Sequence, residues 1–197
     1  MKFSQKKLLL IIAGSLATTP AFSADLDYFV GADVGVRLDG DLEISRNGQE
    51  QKEEMSTSAV LGFHGGFVYD DSHRVTVGLD YRGLNDDDKD SDSDRQVTTL
   101  FTKYDYMLPI KNDLYWTVGT KLGYQRQDGE DKIKDLNGGI VGVQTGLDFA
   151  FDSWKLGTEV AYLHHLEEAK GFNGDGEEVK FNIGDEVLVM FTFNYYF

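Results

Sequence analysis

Large apolar side chains alternate with small or polar ones along most of the chain after residue 26. A period of two residues is typical of β-strands that bury one face, because successive side chains point to opposite sides. The pattern predicts eight strands, at 27–38, 55–69, 74–83, 96–108, 113–125, 140–151, 154–165 and 181–197. We therefore predict an all-β domain.

The connections between these strands alternate in length. Four are long and polar, at 39–54, 84–95, 126–139 and 166–180, whereas those at 70–73, 109–112 and 152–153 are tight turns. In an up-and-down arrangement every second connection lies at the same end, so all the long loops share one end. This arrangement is typical of a transmembrane barrel. The spacing thus predicts an eight-stranded antiparallel up-and-down transmembrane β-barrel.

The two faces of the predicted strands differ in chemistry. One face carries large uncharged residues, and the other carries glycine and most of the charge within the strands. A barrel of eight strands has an interior that side chains can fill, and buried charges need partners there. We predict a filled polar interior with a charge network of Asp33, Arg37, Asp80, Arg82, Lys103, Asp105, Lys121, Asp148, Lys155, Glu159 and Glu186; Arg74 and His64 lie on the same face.

The alternative is a soluble barrel of the lipocalin type, with the charged face in water. Glycine weakens the interior of a strand, so an exposed face has no need of so many glycines. Small residues between long charged ones suit a crowded interior instead. The sequence therefore favours the membrane barrel, with its apolar face outward.

The N-terminal segment predicts export. MKFSQKK is basic, LLLIIAGSLA is apolar, and TTPAFSA ends in small residues, which together are typical of a secretory signal. The apolar run is too short for a transmembrane helix. We predict that residues 1–24 are a cleaved signal peptide, cut after Ser23 or Ala24, and that residues 25–197 form the barrel domain.

The net charge argues against nucleic acid as a partner. The formal charge is −15 and becomes −18 when the three lysines of the predicted signal are removed. Phosphate contacts need clustered Lys and Arg, which the mature chain lacks.

The last predicted strand gives the sharpest motif. Phe191, Phe193, Tyr195 and Phe197 alternate in VLVMFTFNYYF, and the sequence stops on the last of them. This pattern resembles the assembly signal of bacterial outer-membrane barrels, which implies recognition of this strand by the barrel-assembly machinery. In architecture, residues 25–197 resemble the small barrels typified by outer-membrane proteins A and X. The resemblance implies the outer membrane of a Gram-negative bacterium; no peptidoglycan-binding domain is expected after Phe197.

The sequence contains little evidence for a catalytic or metal-binding site. Barrels that resemble the lipid A deacylases place His and Ser two residues apart on the lipid face, but Leu166 follows His164 at that spacing. His164 and His165 point to opposite faces of a strand and cannot chelate one metal ion. Counting from Asp88, an EF-hand fails because Ser93 and Thr99 occupy the positions of Gly and Glu. We predict no catalytic site, no metal site and no cofactor.

These observations favour a structural and surface-interaction role for a monomeric barrel. The four long loops are acidic overall. We expect them to contact lipopolysaccharide, extracellular matrix, host factors or phage, and divalent cations bridging to lipopolysaccharide phosphates are a further hypothesis. The alternatives are a lipid A-modifying enzyme and a narrow, low-conductance channel for small solutes.

Overall fold

The computed structural model describes residues 26–39, 41–46, 49–54, 57–84, 95–128, 137–166, 168–172 and 178–197. The predicted signal peptide and most of the second and third predicted loops lie outside these ranges. The strands are β1 Leu26–Asp39, β2 Asp41–Arg46, β3 Gln49–Glu54, β4 Ser58–Tyr69, β5 His73–Leu84, β6 Arg95–Lys111, β7 Leu114–Asp128, β8 Gly138–Phe151, β9 Trp154–His165, β10 Glu168–Phe172, β11 Glu178–Ile183 and β12 Glu186–Tyr196. Among the described residues, no helix is long and apolar enough to cross a bilayer.

Eight of the strands form one closed antiparallel barrel. Its strand order is β1-β12-β9-β8-β7-β6-β5-β4, so the first and last strands of the chain close the ring. Within that seam, Val34 lies opposite Phe191 and Ala32 lies opposite Phe193. The predicted eight-stranded antiparallel barrel, with its last strand as the closing strand, is confirmed. We call the end with the three short connections the turn end and the opposite end the loop end.

Two of the predicted loops contain additional strands, which is a correction. The strands β2, β3, β10 and β11 form a second sheet in the order β10-β11-β2-β3. The predicted strand at 181–197 is accordingly divided, because β11 ends at Ile183 and β12 begins at Glu186. Polar composition did not prevent strand formation here, because a strand with a neighbour on at least one side satisfies its backbone hydrogen bonds there.

The predicted turn at 109–112 is also wrong. Strand β6 continues through Pro109 to Lys111, and the turn lies at Asn112 and Asp113. The pairing of β6 with β7 shifts between Pro109 and Lys111. Proline cannot donate a ladder hydrogen bond, and such a shift lets the strand tolerate it.

The barrel interior is less uniformly polar than predicted. Toward the loop end, Val60, Ile140, Ala161, Leu163, Leu188 and Met190 form a buried apolar cluster. A second cluster near the turn end joins Phe29, Val68 and Met107. These residues lie on the inward face of their strands, so the charged residues share the interior with two apolar layers.

Candidate functional site

The alternation of the barrel strands directs the predicted network residues inward. All of them except Lys155 are buried, and Lys155 is half-buried. Glu186 and Asp105 have no measurable exposure at 0%. Hydrogen bonds among the described network residues gather them into groups at the loop end, the centre and the turn end.

At the loop end one carboxylate serves two guanidinium groups, in what we call the loop-end cluster: Arg37, Arg82, His165 and Glu186. Arg82 Nη1 and Nη2 donate to Glu186 Oε2 and Oε1 at 2.8 and 2.9 Å, and Arg37 Nη1 donates to Oε1 at 3.3 Å. His165 Nε2 approaches Oε2 at 3.5 Å. The fork of Arg82 matches both carboxylate oxygens, which is the strongest geometry for such a pair.

At the turn end one guanidinium serves two carboxylates, in the turn-end cluster of Arg74, Asp105, Gln144 and Asp148. Arg74 Nε donates to Asp105 Oδ2 at 3.0 Å, and its Nη1 donates to Asp148 Oδ2 at 2.6 Å. Gln144 Nε2 donates to Asp105 Oδ1 at 2.6 Å. Arg74 is therefore the centre of the group, although the predicted charge network did not include it.

The centre of the barrel contains two simple ion pairs. Lys121 Nζ donates to Asp80 Oδ2 at 2.6 Å, and Lys103 Nζ donates to Glu159 Oε2 at 2.9 Å. Both ammonium groups also lie over the ring of Phe101, at 4.0 and 5.6 Å from its centroid. An aromatic face stabilises a cation in a site removed from water.

His64 links the remaining buried carboxylate to the closing strand. Its Nδ1 is 2.8 Å from Asp33 Oδ2 and its Nε2 is 2.6 Å from Asn194 Oδ1. Gly31 makes room for this contact, because a Cβ at that position would collide with His64 Nε2 and Asn194 Oδ1. Asn194 was missed; the alternation of β12 puts it on the inward face, but alternation does not name its partner.

Lys155 differs from the rest of the network. Within the described part of the chain, no carboxylate forms an ion pair with it. Its Nζ lies 4.5 Å from the ring centroid of Tyr196 and 5.0 Å from that of Tyr115. The expectation that each inward charge pairs with an opposite charge is thus wrong for this residue, since two aromatic rings take that place.

The outer face is apolar and open. The residues of the predicted assembly signal all lie on it, with exposures of 61% for Phe191, 41% for Phe193, 38% for Tyr195 and 72% for Phe197. Two hydroxyl groups on this face donate to backbone carbonyl groups of the neighbouring strand: Thr102 Oγ1 to Thr76 O and Thr145 Oγ1 to Thr117 O.

Two histidines face outward, one at each end of the barrel. At the loop end, His164 Nδ1 is 2.7 Å from Asp185 Oδ1, and the Tyr162 hydroxyl donates to Oδ2. These hydrogen bonds from Tyr162 and His164 hold the pKa of Asp185 below its ordinary value. At the turn end, His73 Nδ1 is 2.7 Å from Tyr104 Oη. His164 and His165 do point to opposite faces, as predicted.

Metal ligation has no visible basis in the ranges that the structure describes. No group of three or more His, Cys, Asp or Glu residues there is arranged to hold a metal ion. The arrangement offers instead buried ion pairs inside and apolar surface outside.

Searches with the sequence found neither a matching protein-family model nor a matching curated protein. Solved structures do match. The outer membrane protein OprG from Pseudomonas aeruginosa is similar with a TM-score of 0.63 and 13% identity, covering 87% of this chain and 95% of OprG. Neisserial surface protein A gives a TM-score of 0.58 at 15% identity, over 86% of this chain and 97% of that one.

A third match is the outer membrane protein H (OprH) from P. aeruginosa, determined in DHPC micelles. Its TM-score is 0.54 at 22% identity, and the alignment covers 87% of this chain and 99% of OprH. The chain therefore has the fold of small bacterial outer-membrane β-barrels.

Proposed function

We propose that this chain is an integral outer-membrane β-barrel protein of a Gram-negative bacterium, with a structural and surface-interaction role. One observation carries the proposal: the distribution of polarity is inverted relative to a water-soluble protein. Glu186, Arg37 and Asp105 are at most 1% exposed, whereas Phe63, Val143 and Phe191 are 59–74% exposed.

The exposed residues form a continuous apolar surface and not isolated side chains. Val30, Val34, Leu79, Leu100 and Leu122 are each more than half exposed, and they lie on four different barrel strands. Water-soluble monomers rarely expose contiguous apolar patches of more than a few hundred Å². Hydrocarbon is the solvent in which this surface is stable.

The interior supports anchoring over transport. Ion pairs at three levels cross the lumen, and the two apolar clusters share it near the loop end and the turn end. Opening a wide path would separate buried charges from their partners, at a cost of several kcal/mol per pair, about 3–5 for each. We propose a closed barrel that is monomeric and has no general porin activity.

A non-catalytic role is part of the proposal. Val141 lies directly opposite His164 on β8, Asp185 is bonded to it on the other side, and Tyr162 and Leu166 flank it along the chain. No serine or threonine adjoins the His164–Asp185 pair among these residues, so it lacks the hydroxyl nucleophile of an acyl-transfer site.

In this proposal the acidic loops make the contacts at the cell surface. Their excess of Asp and Glu suits cation-mediated contact with lipopolysaccharide phosphates, or direct contact with basic groups on matrix, host factors or phage. The alternating aromatic face of β12 is the proposed recognition element for the barrel-assembly machinery. Export by the predicted signal peptide belongs to the same proposal.

A charge placed on the outer face tests the membrane embedding. Leu147 pairs with Thr158, which is midway along β9 between Trp154 and Tyr162. Leu147→Arg should lower the free energy of unfolding by about 2–4 kcal/mol in lipid vesicles, because it places a cation near the bilayer midplane. Urea titration of the vesicle-refolded protein, followed by tryptophan fluorescence, measures the change.

Ile110→Arg is the matched control. Ile110 is 57% exposed but lies at the turn end of β6, where the same change should cost no more than about 1 kcal/mol. Equal effects at the two positions, or a near-neutral effect of Leu147→Arg, would contradict the proposed embedding.

A further inference from the structure

The turn end carries a histidine enclosed by tyrosines on its outer face. We call His73, Tyr69, Tyr104 and Tyr106 the His73 cluster. Tyr69 and Tyr106 are the direct cross-strand neighbours of His73 on β4 and β6. The ring centroids of Tyr69, Tyr104 and Tyr106 lie 6.2, 6.0 and 5.2 Å from that of His73.

The His73 cluster presents hydrogen-bond donors outward. When the Tyr104 hydroxyl donates to His73 Nδ1, the imidazole proton is on Nε2, and Nε2 becomes a donor. The three tyrosines are 42–48% exposed, so their rings and hydroxyl groups are accessible from outside. An imidazole N–H flanked by tyrosine hydroxyl groups suits the oxygen atoms of a phosphodiester.

Two aspartates precede His73 in the tight turn. Asp70 and Asp71 are both exposed. Their φ angles of 51° and 52° are those of a turn with two left-handed residues, which places both residues at the tip of the connection between β4 and β5. A carboxylate pair attracts an ammonium group and repels a second anion.

We propose that the His73 cluster and Asp70–Asp71 together bind the headgroup of a zwitterionic phospholipid. The phosphate accepts hydrogen bonds from His73 Nε2 and from the hydroxyl groups of Tyr69 and Tyr106, while the ammonium group lies against the aspartates and the tyrosine faces. This inference rests on the proposed function, because lipid reaches this rim only if the barrel is embedded in a bilayer.

Other parts of the barrel surface lack this combination. The aromatic group of Trp154, Phe193 and Tyr195 also lies at the turn end, with ring centroids 4.6 and 4.5 Å from Trp154. It contains no imidazole. At the loop end, His164 is already bonded to Asp185. The His73 cluster therefore differs from these two groups in combining an imidazole that accepts from a tyrosine hydroxyl with two carboxylates in the adjacent turn.

The test is lipid retention by the refolded protein. We would insert the full chain into nanodiscs of equal phosphatidylethanolamine and phosphatidylglycerol, release it gently and count the retained lipids by native mass spectrometry. The wild type should retain phosphatidylethanolamine over phosphatidylglycerol by about threefold, the size expected of an exposed cation–aromatic contact with a nearby charge.

Two variants remove the two halves of the site. His73→Phe keeps the ring packing but removes both ring nitrogens. The double variant Asp70→Asn and Asp71→Asn removes the charges, and asparagine tolerates the left-handed conformation. Each should bring the retained ratio to that of the bulk lipid, whereas Trp154→Phe should leave the enrichment unchanged.

The outcomes separate the two proposals. Wild-type protein that inserts but retains lipid at the bulk ratio would overturn the headgroup site alone. Enrichment of phosphatidylethanolamine that persists in both variants would also overturn the headgroup site. Failure of the wild type to insert into any bilayer would overturn the proposed function, and the headgroup site with it.

Discussion

The loop-end cluster and the turn-end cluster are built with opposite stoichiometry. At the loop end, Glu186 is shared by Arg37 and Arg82; at the turn end, Arg74 is shared by Asp105 and Asp148. In both groups the shared residue is no more than 5% exposed. Each cluster therefore depends on one central ion that holds together two ions of the other sign.

The two clusters differ in how they can respond when the central ion is lost. A carboxylate can take up a proton and become neutral, whereas a guanidinium group does not release its proton in proteins. When the central ion is removed, the two carboxylates at the turn end can therefore become neutral at acidic pH, whereas the two guanidinium groups at the loop end cannot. The same number of buried charges gives two different sensitivities to pH.

The largest effect is expected for Glu186→Gln, which leaves two guanidinium groups without this carboxylate. Removing one partner of a buried pair costs about 3–5 kcal/mol. The loss should not become smaller at pH 4 than at pH 7, because the arginines stay charged. Urea unfolding of the variant in vesicles at both pH values measures it, and a loss that shrinks on acidification would contradict this account.

Arg74→Met should rank second, with a loss of about 3–5 kcal/mol at pH 7 from two uncompensated carboxylates. On acidification the loss should become smaller, because a carboxylate without its partner can take up a proton, whereas a guanidinium group cannot release one. Asp105→Asn combined with Asp148→Asn and Arg74→Met removes the whole group and should restore part of the stability. A pH-independent loss in Arg74→Met would remove the proposed distinction between the clusters.

Lys155→Met should reduce stability less than either of these two substitutions. Lys155 is held by two tyrosine rings, so its removal leaves no described carboxylate without its ion-pair partner. We expect a loss of about 1 kcal/mol, the size of a cation–aromatic contact. Thermal unfolding in the same vesicles would show it, and a loss as large as that of Arg74→Met would mean that Lys155 compensates a carboxylate after all.

The smallest effect belongs to the exposed pair outside the barrel. The side chains of His164 and Asp185 are 58% and 44% exposed, so Asp185→Asn should change stability by less than about 1 kcal/mol at pH 7. Because the pKa of Asp185 is lowered, its contribution is present above the ordinary value and is lost as pH falls through the lowered pKa, below 3.8. Titration of the Asp185 carboxyl carbon by carbon-13 NMR measures this pKa. A titration midpoint above 3.8 would contradict the expected direction.

The barrel and the identity of its inward charges could be predicted because alternation assigns a face to every strand residue. The ion-pair partners of these charges could not be predicted. Arg82 and Glu186 are 104 residues apart, and Arg74 and Asp148 are 74 apart. Contacts across the lumen depend on the stagger of the strands, which a period of two does not encode. The order of the residues therefore gave the charged face but not the three levels within it.

Other differences from the prediction also have physical causes. The strands β2, β3, β10 and β11 lie in segments whose polar composition favours loops, and pairing between distant segments decides their structure. Pro109 suggested a turn because proline breaks ladders, but an irregular register accommodated it within β6. In each case tertiary pairing overrode a local preference.

The seam between β1 and β12 has a consequence for biogenesis. The backbone N–H of Phe197 donates to Tyr28 O at 3.0 Å, so residues from opposite extremes of the described chain lie side by side. Until residues 186–196 arrive, β1 remains an open edge that invites pairing with foreign strands. Because β1 precedes β12 along the chain, this edge of β1 stays exposed to such pairing until β12 has been added.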